Sequence, residues 1–483
     1  MNKVNIHHVL HVVSISVLAE TIFVLFCIPV SLYFHEEEAI KLVESFLVML
    51  SISGGIFLLT RKRMEELSVK DNYVSVVLTW LFISVFGAIP YLITGAIPSF
   101  KDALFESVSG FTTTGSSILT DIEAMPKSLL FWRAETHWLG GMGVIVLVIA
   151  LLPYFKIGGQ HLIMAEGSFF NTEKIKAQTI DVAKRMWFIY LILTALETIA
   201  LMFSGMNLFD AVCHSFATVA TGGFSTKNSS LIDASAASQY IVIVFMILSG
   251  MNFTLHYLFV HGRFKKVFKN EERKTYLVII FSTALVIGLI IHQRFGLNWE
   301  KAFRDALFQV SSIITATGFA SADYQVWPAS AKLFILLLML IGASVGSTGG
   351  GIKVARYIIM WKNLKLHIRK IIKPNLVQVL RYNGQAVSSD VAFGIMGFVF
   401  IYYLTIIFGT LVMTLTGLDR ASASSSVITT LGGIGPGFNA VGPVENFAHL
   451  SAFGKYYLSF NMILGRLEIL SVLVLFIPSF YKK

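Results

Sequence analysis

Residues 210–223 read DAVCHSFATVATGG: an acid, about ten mostly apolar residues, then Thr-Gly-Gly. The stretch is too short to cross a bilayer, which takes about 20 apolar residues, yet apolar runs stand on both sides of it. It recurs. Residues 102–115 read DALFESVSGFTTTG and residues 305–318 read DALFQVSSIITATG, each with Asp-Ala at the start and a glycine thirteen residues after the Asp. A looser copy, DRASASSSVITTLGG, occupies 419–433. An acid near the start of a short helix suits the helix's positive end, and the helix must stop at Thr and Gly with its last carbonyls unpaired. Irregular backbone at membrane depth is tolerated only where it lines a water-filled cavity. Four such loops about one axis make a ring of carbonyl oxygens, which can replace the hydration shell of a potassium-sized cation. One copy alone reads as a turn between helices; four copies, three with identical spacing, read as a filter.

Composition agrees with that depth. Of 483 residues, 55% are hydrophobic and only 14% charged, against roughly a quarter charged in a soluble domain. Ten apolar runs reach spanning length, at about 9–33, 39–60, 75–97, 130–155, 186–206, 239–260, 275–293, 332–360, 388–416 and 456–479. The expected fold is an all-α polytopic membrane protein with about ten transmembrane helices and four re-entrant pore loops in pseudo-fourfold arrangement. The units fall at 1–70 (an N-terminal helix pair), 71–160, 161–274, 275–381 and 382–483. The first run lacks a small-residue cleavage site and reads as a retained helix.

An N-terminus in the cytoplasm puts Lys3, the RKR at 61–63 with Lys70, the basic residues of 156–185, 261–274 and 353–381, and Lys482 and Lys483 on one side. That satisfies the positive-inside rule with both termini cytoplasmic. Acids such as Asp121, Glu123, Asp210, Asp305 and Asp419 fall on the other side, where they attract cations. The net charge of +10 is spread over separate loops beside spans. It therefore reads as topogenic charge with some attraction to membrane lipid, not as a nucleic-acid surface. Cys27 and Cys213 lack metal-like spacing and read as small core residues. No segment between helices is long enough for a nucleotide-binding domain, so nucleotide control requires another subunit.

The four units resemble the Trk/Ktr/HKT superfamily of potassium transporters, and the two extra N-terminal helices with the LGGIGPG ending of the fourth loop resemble its bacterial TrkH branch. The resemblance covers essentially the whole chain. It implies a filter of backbone carbonyls leading into one glycine per loop. The residues are Thr112, Thr113, Thr114 and Gly115; Ala220, Thr221, Gly222 and Gly223; Thr315, Ala316, Thr317 and Gly318; and Thr430, Leu431, Gly432 and Gly433. Gly432 and Gly435 stay open as alternatives for the fourth glycine. Potassium is the expected ion at these residues, as cargo, with no bound cofactor. A serine at the first-loop glycine resembles a sodium preference in plant members, so Gly115 favours potassium. The resemblance also implies a bacterial inner-membrane location, a homodimer and a cytosolic nucleotide-binding regulatory ring of the TrkA type.

Below the third loop, five glycines from Gly342 to Gly351 interrupt an apolar run, each costing about 1 kcal/mol of helix propensity relative to Ala. The segment Gly346, Ser347, Thr348, Gly349, Gly350 and Gly351 reads as a break facing the aqueous pathway and a flexible gate; the family has an intramembrane loop there. Close packing of small residues is the competing reading. GASVG lacks the strand-turn-helix setting of a nucleophile elbow, and GSTGGGIK lacks the Lys-Ser/Thr ending of a phosphate loop. Arg466, inside the tenth span, reads as a positive barrier to cations beneath the filter, a role the resemblance supports, or else as a buried partner of an acid such as Glu197. Glu135, His137 and His256 read as helix-packing groups. The expected function is potassium uptake through a channel-like pore, with no catalytic constellation in sight. The alternative is an alternating-access symporter coupling potassium to protons or sodium.

Overall fold

The computed structural model describes residues 4–61, 68–151, 172–375 and 377–481. Among these the chain is helical apart from turns, loops and one small hairpin, Arg381–Tyr382 against Gln385–Ala386. Among the described residues, six helices are long and apolar enough to cross a bilayer: Ile6–Tyr33, Glu38–Thr60, Lys70–Thr94, Ala183–Phe203, Glu271–Phe295 and Ser389–Leu415.

Two of the remaining runs are bent where straight spans were expected, and the glycine-rich run is broken as its composition implies. Ala236–Ser249 turns by 99° into Phe253–Val260, and Ala452–Arg466 turns by 111° into Ile469–Phe476. The run at 332–360 breaks into Ala329–Met339 and Val354–Ile372, and a 25-residue helix, Lys127–Leu151, stands where 130–155 was expected. Backbone groups freed by two of these breaks satisfy one another, as a water-poor setting demands. Ser344 N–H donates to the Gly250 carbonyl and Phe253 N–H to the Gly346 carbonyl, both at 3.0 Å. Lys3, Lys62, Arg63, Lys156, Lys482 and Lys483, part of the charge that orients the chain in the sequence, lie outside the described residues.

Four short helices stand between the longer ones: Phe100–Phe111, Leu208–Val219, Trp299–Ile314 and Arg420–Gly432. The sequence starts them as small polar N-caps do. Asn207 accepts from Asp210 N–H, Asn298 from Glu300 N–H, and Asp419 from the N–H groups of Ala421 and Ser422. Their packing is cyclic: Lys127–Leu151 lies on the second short helix, Ala236–Ser249 on the third, Ala329–Met339 on the fourth, and Ala452–Arg466 on the first. Four consecutive units thus close into a ring, with Ile6–Tyr33 and Glu38–Thr60 packed together outside it.

Candidate ion pathway

The four short helices end in one way. The N–H groups of Thr114, Gly222, Thr317 and Ile434 each donate to the carbonyl five residues back (Ser109, Ala217, Ser312 and Thr429) at 2.8–2.9 Å. The preceding residues, Thr113, Thr221, Ala316 and Gly433, are left-handed, with φ of 52°, 56°, 60° and 68°. This is the Schellman ending, whose left-handed position is usually glycine. Here three of four carry Thr or Ala, at a cost of roughly 1–2 kcal/mol each. The next residue after each ending is a glycine with φ of 80–93°: Gly115, Gly223, Gly318 and Gly435.

Those four glycines interlock. A methyl group on Gly115 would run into the Gly222 carbonyl oxygen, one on Gly223 into that of Thr317, one on Gly318 into that of Ile434, and one on Gly435 would lie 2.7 Å from that of Thr114. Each loop's glycine makes room for the carbonyl of the next loop, and the fourth returns to the first. Of the expected residues, the structure brings together Thr112–Gly115, Ala220–Gly223 and Thr315–Gly318 in equivalent backbone positions.

The fourth loop is shifted by two residues from the expected register. Its equivalent stretch is Gly432-Gly433-Ile434-Gly435. Thr430 and Leu431 are still inside the helix Arg420–Gly432, where the Thr430 hydroxyl bonds to the Ser426 carbonyl at 2.6 Å. Gly433 holds the left-handed cap and has open space around it, the nearest atom to an added methyl being Gly350 Cα at 4.0 Å. The shift, toward Gly435 of the glycines left open, has a definite origin. Asp102 and Asp210 occupy the third helical position, whereas Asp419 is itself the N-cap. Measured from the N-caps Ser99, Asn207 and Asp419, the ring glycine falls sixteen residues on in all three units.

In the first three units, side chains behind the ring hold the segments that leave it. Nine residues before each ring glycine stand Glu106, His214, Gln309 and Ser426. The Glu106 carboxylate accepts from Ile118 N–H and the Ser117 hydroxyl, both at 2.9 Å. His214 Nε2 meets the Ser225 hydroxyl at 3.0 Å, and the Gln309 amide donates to the Ala322 carbonyl at 3.0 Å. Glu106 also pairs with buried Arg133 at 2.6 Å. The Arg133 guanidinium lies 3.6 Å from the Phe224 ring centre and donates to the Ser225 carbonyl. His137 stacks on the same ring, and its Nδ1 lies 2.7 Å from the Gly110 carbonyl. His137 and Arg133 therefore back the first two loops, a neighbourhood that two residues four apart on one helix could not reveal before its partners were known. His256 is a packing group, with Nε2 2.9 Å from the Leu248 carbonyl. At the other end of the loops, Asn228 donates to Asp121 and holds its carboxyl below the usual carboxylate range, so this acid stays charged at the expected outer mouth.

Residues 340–353 form an irregular loop between Ala329–Met339 and Val354–Ile372, and it sits directly against the ends of three short helices. The Thr348 hydroxyl donates to the Val219 carbonyl at 3.1 Å. A methyl on Gly349 would lie 2.5 Å from the Thr315 carbonyl oxygen, and one on Gly350 would strike that of Gly432. A helix C-terminus carries about half a negative charge, and two cations answer it here. The Lys353 ammonium donates to the carbonyls of Gly349 and Gly350. The Arg466 guanidinium donates to the Thr348 carbonyl at 2.9 Å and the Gly140 carbonyl at 3.0 Å. Arg466 thus bonds to backbone carbonyls and makes no ion pair with Glu197. Lys353, closing the motif GGGIK, was missed because its role depends on the loop folding back over its own glycines.

A membrane-spanning chain whose four interlocked loops surround one axis belongs to the class of multi-pass proteins with a pseudo-fourfold pore domain. Comparison with known proteins is specific. Residues 39–482 match the TrkH family of cation transport proteins. Over 460 residues, 94% of this chain and 95% of the relative, the sequence is 34% identical to the Trk system potassium uptake protein TrkH of Escherichia coli K12. It is 31% identical to TrkG of the same organism over the full length of both. The crystal structure of the potassium transporter TrkH from Vibrio parahaemolyticus superposes with a TM-score of 0.90 at 32% identity, covering 99% of this chain and 100% of that one. The chain belongs to the TrkH family of cation transport proteins.

Proposed function

We propose that this chain carries potassium into the cell across the bacterial inner membrane, through a channel-like filter of backbone carbonyls, with the loop 340–353 as its gate. The observation that carries the reading is the closed ring in which each of Gly115, Gly223, Gly318 and Gly435 lies against a carbonyl of the next loop. Such a ring offers oxygens without side-chain charge, which suits a monovalent ion that must leave as readily as it enters. The filter residues are Thr112–Gly115, Ala220–Gly223, Thr315–Gly318 and 432–435. The membrane potential supplies about 2.3 kcal/mol per 100 mV for each cation. Arg466 and Lys353, bound to carbonyls of the loop, add positive charge below the filter and oppose cation passage while the loop is in place. The family names of the relatives support potassium as the cargo. Both termini face the cytoplasm, the protein pairs as a homodimer, and a cytosolic nucleotide-binding ring docks on the basic stretch at 362–374. The chain itself is no enzyme.

The test is ion flux into liposomes holding the purified protein, with rubidium as tracer and with potassium or sodium as competitor, at zero and imposed voltage. Uptake is expected to follow the voltage and to lose its discrimination against sodium in Gly223→Ser. Uptake indifferent to both refutes the channel-like reading.

A further inference from the structure

The loop 340–353 touches the helix ends through neutral groups and carbonyls, which leaves open what fixes its shoulders. Both shoulders meet one oxygen. Oε1 of Glu272 accepts from Val345 N–H at 2.8 Å and from Ala355 N–H at 3.2 Å. Val345 lies near the start of the loop, and Ala355 is the second residue of the helix that ends it. That helix has four free N–H groups at its start, and its N-cap, Lys353, makes no side-chain capping bond. The carboxylate of a different helix, Glu271–Phe295, fills the vacant role. Glu272 is 4% exposed, so water does not compete for these bonds.

The same helix start is held by the hairpin. Residues Asn383 and Gly384 have φ of 48° and 82°, the Asn-Gly signature of a tight two-residue hairpin turn. Asn383 accepts from Glu271 N–H at 2.8 Å. Lys362 donates to the Arg381 carbonyl at 3.0 Å and pairs with Glu271. Five of the six residues from Arg381 to Ala386 are exposed. The exception is Tyr382, 4% exposed, which packs in one buried cluster with Ala355 and Ile359 of the helix that ends the loop and whose hydroxyl lies beside the Glu272 carboxylate.

We propose that Glu272 is the latch that holds the intramembrane loop in its closed position, and that the Arg381–Ala386 hairpin is the external handle of that latch, acting through Tyr382. The inference rests on reading the loop as a gate. Glu272 is a positioning residue: it touches no ion, and its effect on flux passes through the amides of Val345 and Ala355. Pulling the hairpin outward withdraws Tyr382 and Asn383 together and leaves the carboxylate with the loop alone. Pushing it inward tightens the node.

Two readouts on the full chain in liposomes test this: rubidium uptake, and hydrogen exchange of the backbone amides of 343–355. Glu272→Ala is expected to raise exchange at Val345 and Ala355 and to raise basal uptake by at least about tenfold, the scale of losing even one of the two bonds to a charged group. Discrimination of potassium from sodium stays unchanged, because the filter is elsewhere. Glu272→Gln, which keeps an acceptor oxygen but loses the charge that strengthens both bonds, and Tyr382→Phe each raise exchange measurably, by less than Glu272→Ala does. If Glu272→Ala does not yield a monodisperse protein, the Gln and Phe variants carry the test, and parent-like exchange in both overturns the latch. Faster exchange with unchanged uptake overturns the gate reading and leaves Glu272 as a clamp on a loop that does not gate.

Discussion

The register of the fourth loop makes the sharpest prediction, because two neighbouring glycines are assigned opposite sensitivities. In Gly435→Ala the new methyl lies 2.7 Å from the Thr114 carbonyl oxygen and 3.0 Å from the Gly115 carbonyl carbon, in a backbone with φ of +93°. Both obstacles are main chain and cannot swing aside. Overpacking of this kind costs about 1–3 kcal/mol, and the left-handed backbone adds about 1–2 kcal/mol for any residue with a Cβ. Gly433→Ala incurs only the second of these, since its methyl meets nothing nearer than 4.0 Å, and Thr113, Thr221 and Ala316 already hold the same conformation. If the ring relieves about 2 kcal/mol of the strain at 435 by opening, discrimination between potassium and sodium falls about thirtyfold, at 1.4 kcal/mol per factor of ten. Rubidium uptake with potassium or sodium as competitor, measured on both variants at matched protein density, reads this directly. Loss of discrimination in Gly433→Ala with parent-like behaviour in Gly435→Ala refutes the assignment of the ring.

Arg466→Ala removes two bonds to carbonyls and the positive charge beneath the filter, so basal uptake should rise at every voltage; equal or lower uptake in a well-folded variant contradicts the barrier role. Glu106→Ala leaves Arg133 buried without its partner, a loss of about 3–5 kcal/mol, so the midpoint of thermal unfolding in detergent should drop by several degrees, and an unchanged midpoint argues against the pair as a brace of the first loop.

Much of this molecule was legible in its sequence, because the repeat is carried by residues that cannot be exchanged freely. The Asp-Ala openings at Asp102 and Asp210 and the terminal glycines follow from helix ends and close backbone approach, both local properties; Asp305 is the exception, seven residues into its helix. The fourth register failed because the anchor was the acid, and an acid serves equally at the N-cap and in the first turn. Asp419 does the first, Asp102 and Asp210 the second. Counting from the caps aligns the first, second and fourth units, though not the third, whose helix starts one turn earlier at Asn298, and the caps Ser99 and Asn207 are ordinary polar residues until a helix start is seen. The bends after Ser249 and Arg466 were hidden for a related reason: apolar composition reports depth, not straightness. Arg133, Glu106, Glu272 and Lys353 act through partners 27 to 92 residues away or through a folded-back loop, and no local pattern marks them.

The cyclic interlock also bears on how the protein is made. Thr114 and Gly435 close the ring, yet the first is translated when less than a quarter of the chain exists and the second when about nine-tenths does. Until the last unit is inserted, the first loop has no neighbour against its carbonyl and the pathway has an open side. A chain cut short by early termination therefore lacks the closed ring of loops, whichever of its first three units have folded. The order of units along the polypeptide makes this ring the last thing to be completed.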